Sequence, residues 1–412
     1  MLSASLVRPA SLSALLLLIM IWTLPVQAGK KQPLHHLSAT SCGECHQEIY
    51  AQWKSSMHAK STALEDPIHA AFYGMMVGNP KKEGEKHKIS GKFPVCLNCH
   101  APNAARDGTT KLDASTAYSE GVTCVTCHTM ESYKGIHGKD GKMQLGAKAY
   151  TFSSHRLQGP NGAFKGANPT ESPGSSSSEP TVNPFPHAAN PRLFKSSDAC
   201  LGCHDQRKNP NGVPLCSTGP ELVASGNSIT CQSCHMPISG GFADHTMGGG
   251  HTPAMLKRGI VFDLTAKAAE AGVETRIRMK NNLPHNYPTG APFRNVFIVL
   301  TAMDAKGEVL WKNFTNSPFT EDKKGILMLK LADDAGKPAP PPKATKIAGD
   351  SRLKPGEERS IAYMIPVNGV AKIRAELRYA LLTPPLVKKF AAKLPDEAKG
   401  TTLVAQSEVV LP

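Results

Sequence analysis

The residues of this chain that could do chemistry are cysteines and histidines in one repeated pattern. Cys-x-x-Cys-His occurs five times and takes ten of the eleven cysteines: Cys42-Gly-Glu-Cys45-His46, Cys96-Leu-Asn-Cys99-His100, Cys124-Val-Thr-Cys127-His128, Cys200-Leu-Gly-Cys203-His204 and Cys231-Gln-Ser-Cys234-His235. At this spacing two thiols can add to the vinyl groups of a porphyrin while the adjacent imidazole binds the iron, as in c-type haem. The sequence therefore predicts five covalently attached haems c, and the five motif histidines are the predicted first axial ligands.

Other uses of paired cysteines explain the pattern less well. A zinc ribbon also uses Cys-x-x-Cys pairs but does not need a histidine after every second cysteine. A disulfide framework has no reason for a fixed two-residue gap. A thioredoxin-type redox pair would occur once, near a βαβ pattern. Haem attachment is therefore the favoured interpretation of all ten cysteines.

Eleven further histidines could supply a second axial ligand to each iron. The candidates are His58, His155, His187, His245 and His285, with His251 as the alternative to His245. His245 and His251 flank three glycines, which would let the backbone approach a flat ring. His285 is the only histidine after residue 255, so its ligation would connect the two halves of the chain. The alternative for each candidate is an ordinary surface or hydrogen-bonding histidine. The remaining ones, His35, His36, His69, His87 and His137, are expected to be exposed to solvent.

A single helix is predicted over residues 42–59, and it separates His46 from His58. Twelve residues of continuous helix span ~18 Å. Two imidazoles on one iron have nitrogens only ~4 Å apart, if each bond resembles other imidazole–metal bonds. We therefore expect His58 to bind the iron of a haem other than the one on His46.

Three other side chains could take part in the chemistry, but each has a plainer interpretation. Met247 could be an axial thioether, which raises the reduction potential of a haem, or a residue that fills a gap. Cys216, the odd cysteine, lies in the locally apolar Val213-Pro-Leu-Cys216 and is expected to be a buried or inert thiol. Trp53 is expected to pack against haem rather than to relay electrons.

The N-terminus has the layout of a secretory signal peptide. Arg8 precedes an apolar run, and Val26-Gln27-Ala28 supplies small residues, so we predict cleavage after Ala28. The run is too short to span a bilayer comfortably, and no later segment is long and apolar enough. The predicted location is therefore exported, either periplasmic or at the cell surface.

The rest of the chain divides into two parts with different patterns. Residues 29–255 hold all the cysteines, with frequent Gly, Pro and Ser, which predicts short helices and coil around stacked haems. The stretch of residues 158–191, which contains the Ser-rich segment 173–180, is predicted to be a long loop. Residues 256–412 alternate with period two, and strands are predicted over 273–280, 295–303, 308–311, 326–331, 360–365, 372–381 and 403–411. The predicted fold is a multihaem domain followed by an antiparallel β-sandwich-like domain.

The formal charge of +14 would ordinarily suggest nucleic acid or a membrane surface as a partner. Two propionates on each haem would offset much of this excess. We therefore expect no nucleic-acid partner. The remaining positive charge could steer an acidic redox protein.

Several segments of the chain resemble multihaem cytochromes c related to the tetrahaem electron carrier of ammonia oxidisers. The resemblance lies in Cys42-Gly-Glu-Cys-His46 with Trp53-x-x-Ser-x-His58, in Gly121-Val-x-Cys-x-x-Cys-His128 and in Cys231-Gln-Ser-Cys-His-Met-Pro237. His285-x-x-Pro-Thr-Gly290, Asp304-x-x-Gly307 and Asp350-Ser-Arg-Leu-Lys-Pro-Gly356 resemble a β-domain often fused behind such haem domains. The resemblance implies a periplasmic or surface electron carrier and supports His58 and His187 as ligands. It departs in haem number, with five here against four.

The leading hypothesis is therefore an electron-transfer protein whose partners are other redox proteins, either multihaem cytochromes or quinol-linked donors. Histidine on both faces of an iron leaves no open position for a substrate. The alternative is an oxidoreductase that acts on a small nitrogen or sulfur compound at one five-coordinate haem. Pentahaem nitrite reductases usually carry a Cys-x-x-Cys-Lys motif, which this chain lacks. A third hypothesis is self-assembly through unpaired edge strands of the β-domain.

Overall fold

The computed structural model describes Met1 and residues 32–161 and 185–412 of the 412-residue chain. The predicted signal peptide, its cleavage site after Ala28 and the Ser-rich loop at 173–180 lie outside the described residues. Residues from Pro33 to Pro412 form one compact unit. Among the described residues, no helix has both the length and the apolar character needed to cross a bilayer.

The region that carries the cysteine motifs is built from short helices. These are α1 Ala39–Gly43, α2 Gln47–Ser55, α3 Pro67–Met76, α4 Leu97–His100, α5 Pro102–Asp107, α6 Thr116–Ser119, α7 Cys124–His128, α8 Pro191–Phe194, α9 Asp198–His204, α10 Thr218–Ala224, α11 Cys231–His235 and α12 Pro253–Lys257. Single-turn 3₁₀ helices occur at Leu34–His36 and Gly146–Ala149. The prediction of short helices and coil in this region is confirmed.

Short two-stranded ladders connect these helices. The strands are β1 Met130–Tyr133, β2 Tyr150–Phe152, β3 Leu157–Gly159, β4 His187–Ala189, β5 Arg207–Lys208, β6 Pro214–Cys216, β7 Ile238–Ser239 and β8 Phe242–Ala243. They pair in that order, and only the β3–β4 pair is parallel. The apolar clusters of this region are small, such as the one around Tyr73, Leu97 and Leu112. Apolar packing of the protein alone is therefore limited here.

The single helix predicted over residues 42–59 is wrong. Helix α1 ends at Gly43, α2 begins at Gln47, and His46 has the non-helical backbone of an N-cap (φ −107°, ψ 54°). His58 lies beyond the end of α2 at Ser55. The chain therefore breaks twice between the two histidines, and the separation expected from one continuous helix does not apply.

Residues after 259 form the sheet-rich part of the molecule. Its strands are β9 Ile260–Ala269, β10 Gly272–Asn281, β11 Asn295–Met303, β12 Val309–Lys312, β13 Ile326–Ala332, β14 Lys346–Asp350, β15 Glu358–Ile365, β16 Lys372–Ala380 and β17 Thr401–Val410. Helices α13 Pro318–Glu321, α14 Pro384–Phe390 and α15 Asp396–Lys399 lie in the connections, with 3₁₀ turns at Lys323–Gly325 and Ala391–Lys393. All seven predicted strands are present within a residue or two. β9 and β14 were not predicted.

These strands form two antiparallel sheets that pack face to face. One has the order β15-β10-β9, and the other has the order β14-β13-β11-β16-β17 with β12 paired to β11. The alternation expected for β10 places Ile277 and Met279 inside, fully buried, against Ile298 and Leu377 of the second sheet. Each such side chain contributes roughly 1.5–3 kcal/mol by its burial. The predicted antiparallel β-sandwich-like region is confirmed.

Candidate functional site

Four of the five motif histidines are the last residue of a short helix. These helices are α4, α7, α9 and α11, and each contains the second cysteine of its motif. Residues i, i+3 and i+4 share one face of a helix, so the two thiols and the imidazole of a motif point to the same side. Helix α7 is fixed by a capping box in which the Thr123 side chain accepts from Thr126 N and the Thr126 side chain accepts from Thr123 N. Each of these four motifs therefore presents its two thiols and its imidazole on one side of the helix, where a porphyrin could bind.

The same nitrogen of the imidazole is hydrogen-bonded in three of these histidines. Nδ1 of His100 donates to Ser61 O at 3.0 Å, Nδ1 of His128 to Gln158 O at 2.7 Å, and Nδ1 of His235 to Gly248 O at 2.6 Å. A proton held on Nδ1 leaves the lone pair on Nε2, which is the arrangement that metal-binding histidines use. These three side chains are therefore oriented for iron.

Histidines outside the motifs show the same arrangement. Nδ1 of His245 donates to Ala243 O at 2.6 Å, and Nδ1 of His285 donates to Asn286 O at 3.1 Å. His187 bonds Phe185 O through Nδ1 at 2.7 Å. His69 bonds Ser61 O through Nδ1 at 2.8 Å. Each backbone carbonyl holds the ring in the tautomer that a metal requires.

Three motif histidines face a second histidine at nearly one spacing. The ring centroids of His204 and His58 are 6.0 Å apart, those of His128 and His245 are 6.4 Å apart, and those of His235 and His285 are 6.5 Å apart. Two imidazoles bound to opposite faces of one iron, with bonds near 2 Å, have centroids about 6 Å apart. The three pairs therefore fit axial ligation of an iron between them.

Buried His69 is a candidate that the sequence interpretation missed. It was expected to be exposed, but only 8% of its surface is accessible, so that expectation is wrong. Its ring lies 3.9 Å from that of His100, and its Nε2 is buried without a hydrogen-bond partner. A buried nitrogen without a partner is costly unless a ligand completes it. A clue lay in the sequence, because His69 stands four residues before Tyr73 on α3 and both are buried.

Burial keeps these side chains uncharged. Removal from water is the main cause that lowers the pKa of His58 to about 4 and that of His69 to about 4, and in His69 the hydrogen bond to Ser61 opposes it. Burial likewise lowers the pKa of His100 well below its usual value. A neutral imidazole is the form that binds a metal, so the buried histidines are in that form at neutral pH.

Several predicted ligands do not belong to the three histidine pairs. His155 and His251 are exposed, as are His46 and His187. His187 and His46 lie close enough to His128 that their charges would lower its pKa. Of the histidines expected to be exposed, His35, His36 and His87 are instead partly buried, and His137 is exposed.

Thiols from different motifs meet one another. The side chain of Cys42 lies within hydrogen-bonding reach of Cys124, that of Cys99 within reach of Cys203, and that of Cys200 within reach of Cys231. The first motif therefore neighbours the third, the second neighbours the fourth, and the fourth neighbours the fifth. These contacts place the motifs in two groups, the first with the third and the second with the fourth and fifth, although the members of each group are distant in sequence.

The backbone next to His58 is tightly fitted. Val122 N donates to His58 O at 2.9 Å, and a Cβ at Gly121 would collide with the same carbonyl oxygen. Trp53 is buried and donates Nε1 to Val122 O at 2.8 Å. Trp53 and Gly121 thus position His58 against the third motif.

Met247 contacts the ring of His58 and not its Nε2. Its Sδ lies 2.9 Å from His58 Nδ1, and its backbone has a φ of 46°, which is rare for a side chain other than glycine. The thioether therefore takes the place that a backbone carbonyl takes at the other candidates. The odd cysteine, Cys216, is half-buried with Sγ 3.8 Å from Thr218 Oγ1.

A buried carboxylate holds the loop that carries His285. Glu221 accepts from Asn286 N and Nδ2, both at 3.1 Å, and from Thr289 Oγ1 at 2.5 Å. Arg352 NH1 donates to the same carboxylate at 2.8 Å, and both side chains are nearly buried. This network fixes the residues that follow His285 to α10.

The chain is similar to known cytochromes c. The family model "Cytochrome c554 and c-prime" matches residues 41–129. The crystal structure of a penta-heme cytochrome c552 from Thermochromatium tepidum superposes with a TM-score of 0.87. It is 53% identical in sequence, and the alignment covers 92% of this chain and 100% of that one. No curated protein sequence matches the chain.

Proposed function

The chain belongs to the multihaem cytochromes c, and from this premise we propose that it is an exported electron-transfer protein with five covalently bound haems c. The number rests on the five complete motifs and on the similarity to a penta-heme cytochrome. The observation that carries the function is the spacing of His58 with His204, His128 with His245, and His235 with His285. Histidine on both faces of an iron favours electron transfer over bond chemistry, because no position stays open.

The residues proposed to hold the haems divide into attachment points and axial ligands. The attachment points are the thiols Cys42, Cys45, Cys96, Cys99, Cys124, Cys127, Cys200, Cys203, Cys231 and Cys234. His69 is a further ligand candidate because its Nε2 is buried without a partner, but its ring lies 3.9 Å from that of His100, which is too close for the two to bind opposite faces of one iron as placed. For His46 the candidates are His155, His187 and His251.

The bound haems supply one-electron transfer at iron. The chain holds the first and third, second and fourth, and fourth and fifth motifs in contact through their thiols, so haems attached there would lie close enough to exchange electrons. Buried neutral histidines and the backbone carbonyls on their Nδ1 atoms fix the ligands, so little has to move when the charge changes. The partners we propose are other redox proteins, with the positive charge of the chain steering an acidic one.

An electron paramagnetic resonance spectrum of the oxidised mature protein tests this function, together with its intact mass. We expect a mass with five haems and a spectrum dominated by low-spin iron. The rings of His58 and His204 are 72° apart, while the other two pairs are 25° apart. When the planes of the two axial imidazoles are crossed, two d orbitals of the iron stay close in energy. When the planes are parallel, the energies of these orbitals differ. One strongly anisotropic signal should therefore accompany at least two rhombic ones.

The opposite result would favour the oxidoreductase. A substantial high-spin signal, with catalytic current on adding nitrite, hydroxylamine or tetrathionate, would overturn the electron-carrier proposal. A mature protein with four haems or fewer would overturn the proposed haem number. The spin state of its iron would still test the proposed function.

Met247 is expected to set the reduction potential of one haem. A thioether is a weaker acceptor than a carbonyl, so His58 stays a weaker electron donor to its iron than the other ligands. Met247→Gln, which offers a carbonyl, should lower one potential in a spectroelectrochemical titration, while Met247→Leu should not lower it. The control is Met364→Gln on exposed β15. Equal potentials in Met247→Gln and the wild-type protein would contradict this role.

A further inference from the structure

A cluster outside the haem-binding residues joins two histidines to one carboxylate. His35 and His36 lie in the 3₁₀ turn Leu34–His36, and Asp107 is the last residue of α5. Nε2 of His35 is 2.9 Å from Asp107 Oδ1, and Nε2 of His36 is 2.7 Å from Oδ2. All three donor groups lie within 4.8 Å of one another. In the part of the chain that the structure describes, no other three His, Cys, Asp or Glu side chains bring their ligand atoms this close together.

The histidines of this cluster use the opposite ring nitrogen from those proposed to bind haem. His100, His128 and His235 bond a backbone carbonyl through Nδ1, whereas His35 and His36 turn Nε2 toward a side-chain carboxylate. They therefore do not present Nε2 to a porphyrin. Instead, the two Nε2 atoms and the carboxylate converge on one point from two separate segments of the chain.

A neighbouring residue orients the carboxylate. Tyr118 OH donates to Asp107 Oδ2 at 2.7 Å, and its ring stands at 90° to that of His36. Such a partner fixes the direction of a metal-binding carboxylate. The side chains keep accessible fractions of 14% for His35, 26% for His36 and 29% for Asp107, so an ion can reach them from solvent.

The charge states suit a cation. Burial lowers the pKa of His35 below its usual value, although the hydrogen bond to Asp107 opposes this. Burial acts to raise the pKa of Asp107, but hydrogen bonds from His35, Tyr118 and His36 outweigh it and hold that pKa below its usual value. At neutral pH the site therefore offers a neutral imidazole and an ionised carboxylate. Arg106 adds a positive charge nearby, but it bonds Thr129 Oγ1 and lies over the Phe152 ring.

We propose that His35, His36 and Asp107 bind one zinc ion, separate from the haem irons. Two imidazoles and a carboxylate are ligands that zinc accepts, and they exclude calcium and magnesium, which take oxygen ligands. Three protein ligands leave a fourth position for water. Binding needs only a shift of the proton from Nε2 to Nδ1 in each ring and a small separation of the three donor atoms. The ion would tie the segment before the first motif to α5.

Equilibrium dialysis of the mature haem-loaded protein against micromolar zinc tests the proposal, with zinc and iron both measured by mass spectrometry. We expect one zinc per chain in the wild-type protein and at least about a tenfold weaker affinity in Asp107→Asn and in His36→Gln. His137→Gln removes an exposed histidine outside the cluster and should bind as the wild-type protein does. An unchanged iron content and haem spectrum show that each variant is intact.

Three outcomes would overturn the site. They are no zinc bound by the wild-type protein, unchanged binding in His36→Gln, and equal losses in His36→Gln and His137→Gln. If Asp107→Asn fails to accumulate, His36→Gln decides alone. The result is independent of the electron-transfer proposal, because it is measured on zinc and not on reduction.

Discussion

Replacing His58 with glycine is expected to convert one low-spin iron of the oxidised protein into a high-spin one. The ring of His58 stands 6.0 Å from that of His204, so its loss opens the second face of the iron bound by His204. Electron paramagnetic resonance should show a new high-spin signal from about one haem in five. The reduced variant should also bind carbon monoxide at that haem.

Added imidazole provides the sharpest check on this result. It should enter the space left by His58 and restore the low-spin signal, which a misfolded variant would not do. Because the thioether of Met247 lies beside that space, the double variant His58→Gly/Met247→Leu excludes ligation by Met247. His137→Gly removes an exposed histidine and serves as the control. A spectrum of His58→Gly/Met247→Leu identical to that of the wild-type protein would show that His58 is not a ligand.

Replacing Glu221 with alanine is expected to destabilise the sheet-rich region by about 3 kcal/mol. The carboxylate is buried and accepts bonds from Asn286, Thr289 and Arg352. Its removal leaves the nearly buried Arg352 with Asp350 as its remaining ion-pair partner. The Asn286 N–H then lacks its acceptor. Breaking a buried ion pair costs several kcal/mol. Chemical denaturation followed by the far-ultraviolet circular dichroism of the sheets measures this loss.

The same substitution should loosen the ligand on the neighbouring loop. Asn286 follows His285 directly, so a high-spin fraction at the haem of His235 should accompany the lost stability. The control is Asp140→Ala, which removes an exposed ion pair with Lys142 and should change the free energy of unfolding by less than about 0.5 kcal/mol. Equal stabilities of Glu221→Ala and Asp140→Ala would contradict the proposed role of Glu221.

The sequence predicted those features that depend on neighbouring residues. Period-two alternation located β10, β11 and β16 closely because both sheets bury one face and any shift of register would expose it. β9 was missed although it alternates as β10 does, with Phe262 and Leu264 buried and Lys267 exposed. The break between α1 and α2 was missed because nothing in the residue type of His46 signals the non-helical conformation in which it caps α2.

The pairing of histidines could not be predicted, because it depends on how distant segments pack. Nothing local to His58 indicates His204 as its partner, because the two rings are brought together from segments that are distant in sequence. His69 was missed for the same reason, since its burial follows from the packing of α3. The number of histidines in the sequence sets how many ligands are available. Tertiary contacts decide which of these histidines form pairs.

The contacts between thiols of different motifs have a consequence for how the protein is made. Cys99 meets Cys203, and Cys42 meets Cys124, so a folded chain without haem would bring pairs of reactive thiols together. In the oxidising compartment that we propose, such pairs form disulfides, and these would join one motif to another. A cross-linked cysteine is no longer free to receive a vinyl group. We therefore expect haem attachment to precede folding, with the polypeptide kept reduced until the porphyrins have been attached.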